Sequence, residues 1–346
     1  MGILVLGESD LRRLAGPAEA LQAVRAGFLA LAHRCVALPG VLHLDLPHAR
    51  GEVHVKGAHI LGSPFFSIKE AGGFWGNPER GLPVGSGLVL VFDAQTGLPR
   101  AILLDNGYLT ELRTGAAGAL AALLLARTEL RVVGILGAGS QARYQLEALC
   151  HSRRPARARV WSRRREAAEA YAREMGARLD LPVEAVGTAR EAVEGSDLVV
   201  TTTTAREPVV RAEWVKPGLH LTAVGADSPE KQELEPEVLA RADLVVADHL
   251  DQCLRLGEIH HAVAAGRLRA ADVHELGAVA AGLKPGRTSD DQITVADLTG
   301  VGVQDAALAD LVVAEAERRG LGRVLEASLS GSAPGPRAPR SGRRGP

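Results

Sequence analysis

The residues best placed to do chemistry begin with a glycine-rich loop. Val132-Val133-Gly134-Ile135-Leu136 is an apolar β run, and Gly137-Ala138-Gly139-Ser140-Gln141-Ala142 follows it where a helical pattern begins. The spacing is G-x-G-x-x-A. Gly137 permits a tight turn, Gly139 lets the backbone approach a pyrophosphate, and Ala142 allows close packing of helix on strand. The helix N-terminus then offers free N–H groups and partial positive charge to phosphates. An ordinary βα turn can carry the same glycines, but the strand–helix–strand context favours a dinucleotide site. The second strand of the unit ends at Ser162-Arg163-Arg164, where an NAD site ordinarily places Asp or Glu against the ribose hydroxyl. A hydroxyl beside guanidinium groups suits a 2′-phosphate, so NADP is favoured over NAD. The plainer reading of these arginines is a solvated helix start.

Among 40 basic residues only five are lysines, which makes each lysine worth locating. Lys69 follows the apolar run Phe65-Phe66-Ser67-Ile68 and reads either as a buried ammonium facing an anion or as a strand-end lysine snorkelling to solvent. Arg113 opens an Ala-rich helix, against the dipole preference, with Thr114 beside it. Its planar fork suits a carboxylate. Asp227 lies just past a strand, on the edge where open α/β folds bind ligands, although Asp227-Ser228-Pro229-Glu230 also reads as a helix capping box. Thr202, in the run Thr201–Thr204, either touches the cofactor or is strand filler. Adjacent His260 and His261 point about 100° apart on a helix and share a metal poorly, so no metal site is expected. Cys150 reads as core.

These residues need elements to position them. A chain of 346 residues suggests two domains, and 46% hydrophobic with 23% charged residues allows a sizeable core. Ser9-Asp10 and Pro17 announce a helix with the apolar stripe Leu21, Val24, Phe28 and Leu31. Positions 41–104 read as an antiparallel β segment with a hairpin turn at Thr96-Gly97, and Thr110 to Arg127 as a buried helix. From Leu130, strands and helices alternate as in a parallel doubly wound sheet. The helix from Asp305 to Arg319 should return the chain to the first domain. The expected fold is α/β: a Rossmann-type sheet over 128–302, plus an α+β substrate-binding and dimerisation domain over 1–127 and 303–329. The Pro/Gly/Arg-rich segment 330–346 is expected to be disordered.

Charge and cysteine usage narrow the function classes. The last 16 residues carry four arginines and no acid; without them 36 basic residues face 41 acidic ones, which excludes a basic nucleic-acid domain. No apolar run reaches the roughly 18–20 residues of a membrane span. Three scattered cysteines exclude a disulfide framework and a zinc ribbon and predict a cytoplasmic setting.

Three further stretches, together with the glycine loop, carry a resemblance. They are Lys69-Glu70-Ala71-Gly72-Gly73-Phe74-Trp75-Gly76-Asn77-Pro78, Leu109-Thr110-Glu111-Leu112-Arg113-Thr114-Gly115-Ala116-Ala117, and Ala223-Val224-Gly225-Ala226-Asp227-Ser228-Pro229-Glu230-Lys231-Gln232-Glu233-Leu234. The chain resembles the ornithine cyclodeaminase/μ-crystallin family from about residue 5 to 325. Leu104–Thr110 and Gln141-Ala142-Arg143 look closest to the ectoine-utilisation cyclodeaminase branch. The resemblance implies hydride transfer between a nicotinamide and Cα of an α-amino or α-imino acid, in a homodimer whose β segments pack together. It implies that Lys69 and Arg113 clamp the substrate carboxylate, Thr114 serves the pyrophosphate, and Asp227 is the general acid/base. It also marks two departures. His43 stands where many members have an arginine, and His54, with Lys56 two residues on, stands where ornithine enzymes place a glutamate for the δ-ammonium. A His/Lys pair would repel a cationic side chain and welcome an anionic one, unless Asp45 or Glu70 supplies the acid. The expectation is an amino-acid dehydrogenase or imine reductase acting on a small-molecule amino or imino acid. The alternatives are a cyclodeaminase proper, making proline and ammonia from ornithine, and a non-catalytic NADP(H)-binding protein.

Overall fold

The computed structural model describes residues 2–326, so the expected disordered tail lies outside the described residues. Two eight-stranded sheets organise the chain. The first runs in the order Arg323–Glu326, Gly2–Gly7, Pro99–Leu104, Gly85–Asp93, Phe65–Phe74, Gly51–Ile60 and Val36–Ala37, with Leu42–Leu46 also pairing Gly51–Ile60. It is antiparallel except where Gly2–Gly7 lies parallel to Pro99–Leu104. The hairpin at Thr96-Gly97 forms as expected: Asp93 Oδ1 accepts from Thr96 N at 2.8 Å, and Gly97 takes φ +72°. The final strand, Arg323–Glu326, carries no sequence signal of its own and borrows its order from Gly2–Gly7.

Register places the polar side chains of this sheet. Glu52, His54 and Lys56 alternate along one strand and therefore share a face. Opposite them stand Asp45 and His43 on one neighbour and Gly73, Ala71 and Lys69 on the other, with Lys56 paired directly to Lys69. The helices Pro17–Ala32, Tyr108–Leu125 and Gly302–Arg319 cover the sheet through a core containing Leu6, Phe28, Leu103, Leu120, Leu308 and Val312. The last of these helices does return the chain to the first sheet, as its position in the sequence suggests.

The second sheet is wholly parallel, in the order 183–185, 157–161, 132–136, 198–201, 220–223, 294–297, 244–247 and 274–275. Its central strands are buried on both faces, as parallel strands covered by helices must be. The chain leaves Val132–Leu136 first toward one edge and later toward the other, so a topological switch point lies between it and Leu198–Thr201. Gly137 and Thr202 follow those two strands, one on each side of that crevice.

Candidate active site

The glycine loop has the geometry its spacing predicts. Gly137 takes φ +109°, and a Cβ there would lie 2.6 Å from Thr202 Oγ1, so only glycine fits. A Cβ on Gly139 would meet nothing within 4 Å, which leaves the loop open on the side where a pyrophosphate would approach. Gly139 also precedes the helix Ser140–Ser152 without a side-chain cap, so the first N–H groups of that helix remain free for an anion. Ala142 is fully buried, and its carbonyl accepts from the Tyr171 hydroxyl at 2.8 Å. Arg143, which lies outside the motif, donates to the carbonyls of Ala138 and Gly139 at 2.7 and 2.9 Å and stiffens the loop from behind. These features fit a dinucleotide. Thr202 Oγ1 is 3.2 Å from the Leu136 carbonyl, at the mouth of the same loop. Ser162 is half-buried, while Arg163 and Arg164 are exposed and their guanidinium groups make no hydrogen bond or ion pair among the described residues.

The helix Tyr108–Leu125 is laid directly along the nucleotide helix. A Cβ at Gly115 would lie 2.7 Å from the Tyr144 carbonyl oxygen, and one at Gly118 1.9 Å from Gln145 Oε1, so small residues permit this approach. Gln145 Nε2 donates to the Thr114 carbonyl at 2.9 Å, and Gln141 donates to the Glu111 carboxylate. Thr114 spends its own hydroxyl on the Thr110 carbonyl at 2.7 Å, in place of a phosphate. Arg113 does not open this helix. The helix starts at Tyr108, where Asp105 Oδ2 accepts from Leu109 N at 2.8 Å, and Arg113 sits in its second turn. The helix-dipole argument for its role therefore lapses, and burial replaces it.

Arg113, Lys69 and Lys56 are all buried; the first two converge on Asp305, and Lys56 lies beside them. Arg113 Nε donates to Asp305 Oδ1 at 3.0 Å and Arg113 Nη1 to Gln304 Oε1 at 2.7 Å; Lys69 Nζ lies 3.5 Å from Asp305 Oδ2. Lys56 Nζ donates to the carbonyls of Thr299 and Gly300 at 3.1 and 2.8 Å. Desolvation lowers the Lys69 pKa to about 7, and the neighbouring Arg113 and Lys56 charges push the same way against the pull of Asp305. Lys56 is lowered for the same reasons, desolvation first and then Arg113. Burial raises the pKa of nearby Asp105, against the backbone N–H groups of Leu109 and Gly107. Two buried cations share the Asp305 carboxylate and a third, Lys56, is held by backbone carbonyls alone, while Asp305 Oδ2 and Gln304 Nε2 lack hydrogen-bond partners. Such a cluster is built for a further anion.

Asp227 belongs to an adjoining cluster. The stretch Asp227-Ser228-Pro229-Glu230 forms a turn instead of a capped helix, with Lys231 N donating to the Ser228 carbonyl at 3.2 Å. The Asp227 carboxylate therefore caps no helix and accepts from Lys231 Nζ at 2.6 Å. Burial opposes ionisation of Asp227, but the Lys231 ammonium overrides it and holds the carboxyl below the usual range. Lys231 Nζ also donates to Glu52 at 3.3 Å. Glu52 in turn lies 3.5 Å from His54 Nε2 and 3.8 Å from His43 Nε2. A cavity of about 290 Å3 opens here, with His43, His54, Asp227, Gln252 and Arg255 in its wall.

Glu52 supplies an acid on this face, with Asp45 its direct cross-strand partner, whereas Glu70 follows Lys69 on the strand and so faces the opposite side. Alternation along Gly51–Ile60 carried that signal once His54 and Lys56 had been picked out. Three of the five lysines, Lys56, Lys69 and Lys231, lie in these two clusters. Asp305 and Gln304 carried no signal beyond their position in the first turn of the last long helix.

The ligand atoms of His43, Glu52 and His54 lie within 4.8 Å of one another. The two rings, however, stack with planes 6° apart, so their lone pairs run side by side instead of converging on an ion. His260 and His261 accept other duties; His261 Nε2 is 2.9 Å from the Lys231 carbonyl. Cys150 is half-buried and its thiol is pushed up to about 11 by burial, consistent with a packed residue.

Comparison with known proteins returns one family. The model of the ornithine cyclodeaminase/mu-crystallin family matches residues 5–320. A protein of Rhizobium meliloti (strain 1021), provisionally named a dehydrogenase, is 48% identical over 93% of this chain and 98% of its own length. Among solved structures, an archaeal alanine dehydrogenase dimer with bound NAD superposes with a TM-score of 0.87 at 37% identity, covering 94% of this chain and 99% of that one. The iminosuccinate reductase of Paracoccus denitrificans in complex with NAD+ gives a TM-score of 0.87 at 34% identity, over 94% and 100% of the two chains.

Proposed function

The chain belongs to the ornithine cyclodeaminase/mu-crystallin family, and from that premise we propose that it is a nicotinamide-dependent enzyme working at Cα of an α-amino or α-imino acid. The observation that carries this reading is the surplus of buried cations around Asp305 beside an open dinucleotide loop. When bound, the nicotinamide supplies or accepts the hydride. Lys69 and Arg113 hold the α-carboxylate by charge-assisted hydrogen bonds and so fix Cα, an orientation effect. Gly137, Ala138, Gly139, Ser140, Gln141 and Ala142 hold the pyrophosphate. Asp227 moves a proton at the substrate nitrogen. The segments 1–127 and 303–329 handle substrate and dimerisation, and 128–302 the cofactor.

Side-chain preference follows from the cavity wall. His43, His54 and Arg255 line it with Asp227, and Glu52 behind them is engaged by Lys231. This lining supports a small or anionic side chain over the cationic side chain of ornithine. Arg163 and Arg164, free at the end of the second strand, support NADP. The homodimer is supported by the outer face of the first sheet, where Leu42, Ile68 and Leu104 are exposed apolar residues. No helix of the described residues is long and apolar enough to cross a membrane. The three free cysteines support a reducing, cytoplasmic setting.

The test is a panel of amino acids with NAD+ and NADP+, and of 2-oxo acids plus ammonia with the reduced cofactors, scored for both absorbance at 340 nm and ammonia release. Net cofactor turnover with alanine- or aspartate-like substrates is expected. Ammonia from ornithine without net cofactor change would select the cyclodeaminase, and cofactor binding without turnover the non-catalytic alternative.

A further inference from the structure

Lys231 has no assigned part in the chemistry above, yet it is the only ammonium group within hydrogen-bond reach of the Asp227 carboxylate among the described residues. We propose that Lys231 is a positioning residue for Asp227: gripped from behind by Glu52, it orients the carboxylate and keeps it in the base form until substrate arrives. This rests on the reading of Asp227 as the acid/base.

The geometry is specific. Lys231 Nζ bridges Asp227 Oδ1 at 2.6 Å and Glu52 Oε1 at 3.3 Å, so one ammonium joins a cofactor-domain turn to a strand of the antiparallel sheet. The lysine is buried and Asp227 is half-exposed, which fixes the cation and leaves the carboxylate open to the cavity. Its backbone is pinned as well: Lys231 N donates to Ser228, and the Lys231 carbonyl meets His261 Nε2 at 2.9 Å. Two residues on, Glu233 is fully buried and accepts from Gly225 N at 2.8 Å and from Thr201 Oγ1 at 2.6 Å. The turn carrying Asp227 is thus tied at both ends, and the ammonium sets the remaining freedom of the carboxylate.

Other charged groups face Asp227: His54 and Lys56 from the strand Gly51–Ile60, Glu52 behind Lys231, and Arg255 across the cavity. Lys56 is occupied by the Thr299 and Gly300 carbonyls, and Glu52 opposes ionisation. Lys231 is the group in direct contact. When a protonated amine enters, Asp227 accepts its proton and the amine becomes nucleophilic or oxidisable; the Asp227–Lys231 attraction weakens by one charge, so the neighbouring Glu52 holds the lysine in place through the proton transfer.

Two readouts separate this role from a merely structural one and from failure of the functional reading. The first is the pH profile of kcat/KM. Lys231→Met is expected to move the acidic limb up by about one to three pH units, since an opposite charge at this range depresses a carboxylate by that amount. Lys231→Arg, which keeps the charge, should restore most of the wild-type limb, and it stands in if the methionine variant folds poorly. The second readout needs no turnover: carboxyl titration by difference infrared spectroscopy of wild type against Asp227→Asn, repeated in the Lys231→Met or Lys231→Arg background. A carboxyl signal that rises in pH with Lys231→Met and returns with Lys231→Arg supports the proposal. If that signal moves while the kinetic limb does not, the pairing stands and Asp227 is not the acid/base. An unmoved carboxyl signal overturns the positioning role outright.

Discussion

Two groups of buried ionisable side chains lie on either side of the cleft, and they are satisfied in opposite ways. At the C-terminal edge of the parallel sheet stand Glu233, Asp248, Glu258 and Asp297, all fully or nearly fully buried. Each is saturated by its own chain. Glu233 accepts from Thr203 N and Gly225 N at 2.5 and 2.8 Å, Asp248 from Gly300 N at 2.6 Å, Glu258 from Glu233 N and Leu234 N at 2.8 and 3.0 Å, and Asp297 from Ile259 N at 2.9 Å. None of the four has an orphaned oxygen. Across the cleft, Lys69 and Arg113 share one carboxylate, Lys56 beside them contacts none, and orphaned polar atoms remain next to them. Burial alone does not mark function. A buried ionisable group whose bonds are complete is explained by the scaffold, and one left incomplete is a candidate for a ligand.

This contrast can be broken by substitution. The largest expected effect is on the cation side: Lys69→Met or Arg113→Met should lower kcat/KM by about 100-fold or more, the loss of a charge-assisted hydrogen bond of about 3 kcal/mol. Cofactor affinity, followed by NAD(P)H fluorescence, should change little. On the carboxylate side, Glu258→Gln should leave kcat near wild type and lower thermal stability by about 1–3 kcal/mol, because two backbone N–H groups lose an ionisable partner. Equal losses of turnover on both sides would remove the distinction.

The pH behaviour of the two sides should also differ. Lys69 is charged below pH about 7 and neutral above it in the free protein, while a bound carboxylate favours the ammonium. KM for the substrate should therefore be flat below about pH 7 and rise about tenfold per pH unit beyond it, until the lysine of the complex itself titrates. Asp297 shows the reverse origin: burial raises its pKa from 3.8 to about 8. Its folded-state value exceeds its unfolded one, so its contribution to stability is full below about pH 4 and is lost as pH rises through 8. Thermal denaturation of Asp297→Asn should show a shallower decline over that window than wild type.

What the sequence made legible follows the same division between local and long-range causes. The glycine loop could be read directly, because its strand, turn and helix start are consecutive and each glycine has a local steric reason. Lys69, Arg113, Asp227 and Lys56 are marked by the resemblance, whereas Lys231 stands in a quoted stretch with no role of its own. Alternation places Glu52 on the face of His54 and Lys56, but what it meets there depends on the pairing of Leu42–Leu46 and Phe65–Phe74 across Gly51–Ile60, a register that no local pattern specifies. Asp305 escaped because it lies 192 residues from Arg113 in sequence and only tertiary packing joins them. The capping-box reading of Asp227 was wrong for a related reason: Lys231 competes for the carboxylate, and the chain turns instead of entering a helix.

The smallest expected effect lies at the cofactor ribose. Arg163→Asp should shift the kcat/KM ratio of NADP to NAD toward NAD by about tenfold, the worth of one exposed phosphate contact. An unchanged ratio would remove the reason for favouring NADP.

The central claim is that the cation cluster around Asp305 holds the α-carboxylate of the substrate. The most direct measurement is binding of a 2-oxo acid such as pyruvate to the NAD(P)H complex, read by fluorescence quenching in wild type, Lys69→Met and Arg113→Met. The account predicts binding in wild type and a loss of affinity of about 100-fold in each variant. Wild-type affinity in either variant, with cofactor binding intact, would contradict it.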